Sequence, residues 1–145
     1  MQKILILVTL GLFMTAAAQQ TSRKPMPAQS PRVQPLPAQV YTTLRDSCTQ
    51  LDIVFITGKG GSMSMDSRGS IHGFTSFVST RATSKVPNAP QDGTIMWQID
   101  GRAYLMGSLY LTSDSAGYLI FNKNEKEYVN ALSPDGAGFL NHHGR

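Results

Sequence analysis

The sequence predicts a mainly β domain: a small antiparallel sheet or meander closing into a barrel or sandwich, with one short N-terminal helix. Three observations carry that expectation. Residues 94–99 and 102–106 flank Asp100-Gly101, a dipeptide favoured in two-residue hairpin turns because both positions need positive φ. After Val40 the apolar residues fall into short β-branched or alternating runs, separated by clusters of Gly, Asn, Asp and Ser. The segment before it is so rich in proline that it cannot bury enough surface to order itself.

At the start of the chain, Lys3 precedes an uncharged apolar run from Ile4 to Met14, followed by Thr15-Ala16-Ala17-Ala18-Gln19. A charged start, a short apolar stretch and small residues at the cut describe a cleavable export signal over residues 1–18. The run is too short to cross a bilayer, which takes about 20 apolar residues. The expected product is secreted or periplasmic, has no transmembrane segment after cleavage, and is out of reach of cytoplasmic ATP and NAD. Residues 19–40 hold five of the eight prolines and form the expected disordered, basic linker. Within it Pro25-Met26-Pro27-Ala28-Gln29 recurs as Pro35-Leu36-Pro37-Ala38-Gln39.

The formal charge of +4 belongs to the N-terminal region, since residues 41–145 carry nine Lys plus Arg against nine Asp plus Glu. A neutral domain lacks the basic face that nucleic-acid binding requires, so no nucleic-acid partner is expected. Cys48 is the sole cysteine and no intramolecular disulfide can form. Its simplest role is that of a small buried apolar residue, with an intermolecular disulfide or a reactive thiol as alternatives.

Within the domain, assigned to residues 41–140, Val40, Leu44 and Cys48 recur every four residues and suggest the short helix. Residues 51–57 read as a buried strand. Ser62-Met63-Ser64-Met65-Asp66 alternates, which places both methionines on one face of a second strand. Residues 71–80 fit either helix or strand, and their Ser and Thr content favours strand. A loop over 81–92 leads into the Asp100-Gly101 hairpin. Its expected register sets Trp97 opposite Tyr104 and Ile95 opposite Met106, with Tyr110 continuing the Trp97 face by period two. Strands at 118–121 and 127–132 complete a meander. Ser133-Pro134-Asp135-Gly136 reads as a turn that ends it, followed by Phe139 and Leu140 against the core and a frayed tail over 141–145.

Several residue sets invite a chemical reading. Thr57-Gly58-Lys59-Gly60-Gly61 after an apolar strand resembles the opening of the deviant phosphate loop of arsenite-pump and partitioning ATPases. Met63-Ser64-Met65 stands where that family has its second Gly-Lys-Ser/Thr, so the phosphate-binding lysine and the magnesium hydroxyl are both missing. Met63, Met65, His72 and Trp97, with Met96 or Met106 as further candidates, resemble the ligand set of the small periplasmic copper and silver chaperones, β-barrels that use a His, a Met-x-Met pair and a stacked Trp. That resemblance implies Cu(I) or Ag(I) held by Met63, Met65 and His72, ligands of suitable softness. In that family His and Trp precede the methionine pair, whereas here they follow it.

A hydrolase would centre on His72 with Asp66 or Asp52 as its orienting acid, and no Gly-x-Ser-x-Gly elbow accompanies it. His142-His143 adds a histidine pair at the C-terminus. Trp97, Tyr104 and Tyr110 form a candidate stacking platform for a sugar or peptide. Against these sites stands core packing, the ordinary role of Met and aromatic residues in strands. The resulting expectation is an exported, non-catalytic binding or structural protein of the cell envelope or exterior, with no cofactor. A soft-metal-binding protein and a small hydrolase are the alternatives, and an uncovered sheet edge is the expected route to a protein partner.

Overall fold

The computed structural model describes residues 33–144; the export signal and most of the proline-rich segment lie outside the described residues. The chain forms α1 (Ala38–Asp46), β1 (Gln50–Phe55), β2 (Gly61–Met65), α2 (Arg68–Ser76), β3 (Val78–Ala82), β4 (Gly93–Ile99), β5 (Arg102–Ser113), β6 (Ala116–Lys123), β7 (Lys126–Leu132) and α3 (Pro134–Gly144). The seven strands make one antiparallel sheet in the order β2-β1-β4-β5-β6-β7-β3.

The sheet is mainly β as expected, but it is neither a closed barrel nor a sandwich. Its edge strands β2 and β3 stay unpaired with each other among the described residues, and three helices fill the side they leave open. Leu44 of α1, Ile71 and Phe74 of α2, and Ala137 and Leu140 of α3 share one core with Leu51, Ile53, Ile95, Trp97, Leu109 and Phe121 of the strands. Trp97 is fully buried and donates from Nε1 to Thr75 Oγ1 of α2 at 3.2 Å. Thr75 is buried as well, and its carbonyl accepts from Tyr41 Oη of α1 at 2.9 Å, so one polar chain ties the sheet to two helices.

Of the stretch 71–80 that fits either helix or strand, residues up to Ser76 are helix, against the favoured strand, and Val78 onward is strand. Ser67 is the N-cap and its Oγ accepts from Ser70 N at 3.2 Å. Ile71, Phe74 and Thr75 then follow helical spacing into the core, and the serines fall at the cap and on the exposed side. Ser133-Pro134-Asp135-Gly136 likewise opens a helix and does not close the domain. Ser133 Oγ accepts from Gly136 N at 3.1 Å, proline takes the first helical position, where its missing N–H has no intrahelical bond to break, and Asp135 sits in the first turn. Gly136 is required by contact: a Cβ there would lie 2.5 Å from Phe77 Cβ. Residues 141–144 belong to this helix and are not frayed.

The hairpin turn is present, with Asp100 at φ 49° and Gly101 at φ 74°. The register beyond it differs from the simple expectation. Gln98 pairs with Ala103, but Trp97 pairs with Leu105, which leaves Tyr104 in a β-bulge. One extra residue reverses the parity of all that follows in β5. Leu105, Leu109 and Leu111 therefore face the helices, while Met106 and Tyr110 face away.

The end of the proline-rich segment is also part of the fold. Val129 N donates to Gln34 O at 2.8 Å, and Leu36 N donates to Asn130 Oδ1 at 3.0 Å. Leu36 is buried in the core, and the fully buried Asn130 also donates from Nδ2 to Ser79 O at 2.8 Å. Asn130 of β7 thus bridges β3 and the incoming arm where the β3–β7 register breaks between Val78 and Ala82.

Candidate binding surfaces

On the helix side, α2 presents Ser70, Gly73 and Phe77 along one stripe, with spacings of three and four residues. The tight fit of Gly136 on Phe77 brings α3 close enough for Phe139 to join them. Met65, Ser70, Gly73, Phe74, Phe77 and Phe139 line an open hollow of about 290 Å³. Phe77 and Phe139 have ring centroids 5.9 Å apart, and Phe74 lies 5.9 Å from Phe77 and 6.2 Å from Phe139. These spacings are those of edge and tilted aromatic contacts. None of the lining residues is charged, and Ser70 carries the only side-chain hydroxyl among them. Met65 ends β2 and Phe77 immediately precedes β3, so the hollow sits where the two sheet edges turn toward each other.

The other face of the sheet is covered differently. The connection over residues 83–92 crosses it as a strap. Val86 N donates to Tyr118 Oη at 3.2 Å, and Lys85 pairs with Glu127 at 2.6 Å. Tyr118 stacks on Tyr110 with centroids 4.9 Å apart and rings 7° from parallel. Asp92 fixes the strap's end, accepting from Thr57 Oγ1 at 2.8 Å and Leu111 N at 2.7 Å. Beyond the strap no described residue covers this face. Val54 and Met106 are 47% and 54% exposed. Beside them Asp52 accepts from Ser64 Oγ at 2.6 Å and Gln50 Nε2 at 3.0 Å, and from Gln98 Nε2. These donors, the Ser64 hydroxyl foremost, hold its carboxyl below its ordinary pKa.

The expected sites are dispersed by this arrangement. Trp97 is sealed in the core, Tyr104 occupies the bulge with Lys123 Nζ 4.3 Å from its ring centre, and Tyr110 faces the strap. They form no common platform. Met63 and Met65 are half-buried against the helix-side core, and His72 stands exposed on α2. Asp52, one expected partner of His72, lies on the opposite face. Among the described residues no three His, Cys, Asp or Glu side chains gather as a metal site. His143 bonds through Nδ1 with its own helix at Phe139 O, 2.8 Å away, and packs on the Phe139 ring. Burial raises the Cys48 thiol from its ordinary 9.0 to about 11, so it stays protonated at neutral pH.

The hollow is not legible in the sequence because Phe77 lies in a stretch that fits helix or strand and Phe139 follows a turn signal. The helix-start pattern Ser-Pro-Asp was the available signal. No protein-family model, no curated protein and no solved structure matches this chain.

Proposed function

We propose that this protein is an exported, non-catalytic binding component of the cell envelope or exterior, and that it binds an apolar side chain of a partner polypeptide in the phenylalanine hollow. The observation that carries the reading is the uncharged cluster of Phe74, Phe77 and Phe139 left open around Gly73. Apolar pockets with one or two polar groups are the usual form of a recognition site. The hollow lies against β2, whose outer edge has no strand beside it among the described residues. An extended partner therefore has backbone groups to pair with next to a pocket for its side chain.

Gly73 supplies the test. A Cβ at this position meets nothing within 4 Å, so a larger residue fills the hollow without displacing its walls. Selection from a random peptide library on the signal-free chain should enrich peptides with aromatic or branched apolar residues. Gly73→Trp should weaken those peptides at least tenfold while retaining the circular dichroism spectrum. Equal binding by Gly73→Trp, or no enrichment, rejects the reading. Export is tested separately: the mature N-terminus should be Gln19, and a product that keeps Met1 overturns it.

A further inference from the structure

The bulge at Tyr104 has an effect on the open face. It sets Met96 of β4 directly opposite Met106 of β5. Trp97 and Leu105, their chain neighbours, point into the helix-side core, so both thioethers point the other way. Met106 is 54% exposed and Met96 is half-buried. The same register row continues through Asp52 to Ser64. We propose that Met96 and Met106 form a seat for a monovalent soft cation, Cu(I) or Ag(I), on the face of the sheet that points away from the helices.

The geometry suits such an ion. Directly opposed residues of an antiparallel pair have Cβ atoms about 4.5–5.5 Å apart. Rotation about Cα–Cβ and Cβ–Cγ places each methionine sulfur, enough freedom to bring the two sulfurs to either side of one ion. The pair is held on β4 and β5, each paired with strands on both sides, so the anchoring backbone is ordered before the ion arrives. Two neutral thioethers bring no charge of their own. The neighbouring Asp52 supplies a negative one, and because Ser64, Gln50 and Gln98 already donate to its oxygens it acts through its field and not as a ligand.

Thioethers without imidazole or thiolate select soft ions and leave Zn(II) unbound. The ion enters and leaves in the same oxidation state, so no electron changes hands. This site is separate from Met63 and Met65, which pack on the other face, and it is independent of the phenylalanine hollow.

The experiment is a titration of the signal-free chain, with Cys48→Ala to remove the competing thiol, by Ag(I) under non-thiol conditions. It is followed through carbon-13-labelled methionine methyl signals. The two signals assigned by Met96→Leu and Met106→Leu should shift together and saturate at one equivalent, with Met63 and Met65 unmoved. Either leucine variant should lower affinity at least tenfold and abolish the shift of the remaining partner at one equivalent. Zn(II) should shift neither signal. Unmoved Met96 and Met106 signals at one equivalent, movement of Met63 and Met65 in their place, or unchanged affinity in either leucine variant overturns the proposal. Folding of each variant is checked by the upfield methyl signals of the Trp97 core, which lies on the opposite face.

Discussion

The two faces of this sheet are made by alternate residues of the same strands, and they are finished in different ways. On one side three helices close over Ile53, Ile95, Trp97, Leu109 and Phe121 and leave them dry. On the other a single strap covers the Tyr110–Tyr118 stack, and the rest is left to Val54, Met106 and a carboxylate held by amides. The helix side supplies most of the stabilising burial, while the strap side keeps its burial to the strap and leaves Val54 and Met106 exposed. The difference teaches that stability and surface chemistry are separated here by residue parity.

That contrast can be broken most forcefully at Trp97. Trp97→Ala should cost about 3–5 kcal/mol in urea unfolding, since it empties a fully buried site. Met106→Ala should stay within about 0.5 kcal/mol, as expected for an exposed strand residue. Equal effects would show that the open face is covered in solution. Next in size is Asn130→Ala, which deprives the Leu36 amide and the Ser79 carbonyl of their buried partner. About 2–3 kcal/mol should be lost, and hydrogen exchange at Leu36 should accelerate more than at Leu119.

Tyr118→Phe tests the strap alone. It leaves Val86 N without its acceptor, should cost about 1 kcal/mol, and should expose residues 83–91 to proteolysis before the sheet opens. Cys48 reports on helix-side burial through pH. Its folded value of about 11 lies above the ordinary 9.0, so the unfolded chain releases the proton first. Its contribution is whole below pH 9 and is lost as pH rises toward 11. The melting temperature should fall across that window, and Cys48→Ala should flatten the fall. The smallest effect belongs to the β6–β7 turn, where Glu125 is held at φ 62°. Glu125→Gly should gain about 0.5 kcal/mol, as relief of a left-handed L-residue slightly exceeds the added chain entropy.

Sequence patterns carried the fold where local chemistry decides it. Asp100-Gly101 fixes its turn because few dipeptides accept two positive φ values, and Val40 and Leu44 mark α1 by their spacing, while Cys48 lies just beyond its C-cap. The patterns failed where packing decides. Nothing in Arg102-Ala103-Tyr104-Leu105 announces a bulge, yet that one residue moved Met106 and Tyr110 to the opposite face and dissolved the expected aromatic platform. Ser-Pro-Asp-Gly suits both a turn and a helix start, and the contact of Gly136 with Phe77 selects the second. Composition alone marks the proline-rich arm as unable to order itself, yet Leu36 at its end is seated by an asparagine 94 residues away.

α2 joins β2 to β3, neighbours in the chain that stand at opposite edges of the sheet. The strands between them are β1, on the β2 side, and the meander β4 to β7, made entirely of later sequence. The N-terminal half therefore supplies both borders of the sheet and one internal strand, β1, while the four central strands come from later sequence. The short connections of the meander cost the least loop-closure entropy, so the meander should form first, with β1 then docking on β4 and β3 on β7. Mutations in β5 and β6 should consequently slow folding, whereas those in β2 and β3 should chiefly speed unfolding.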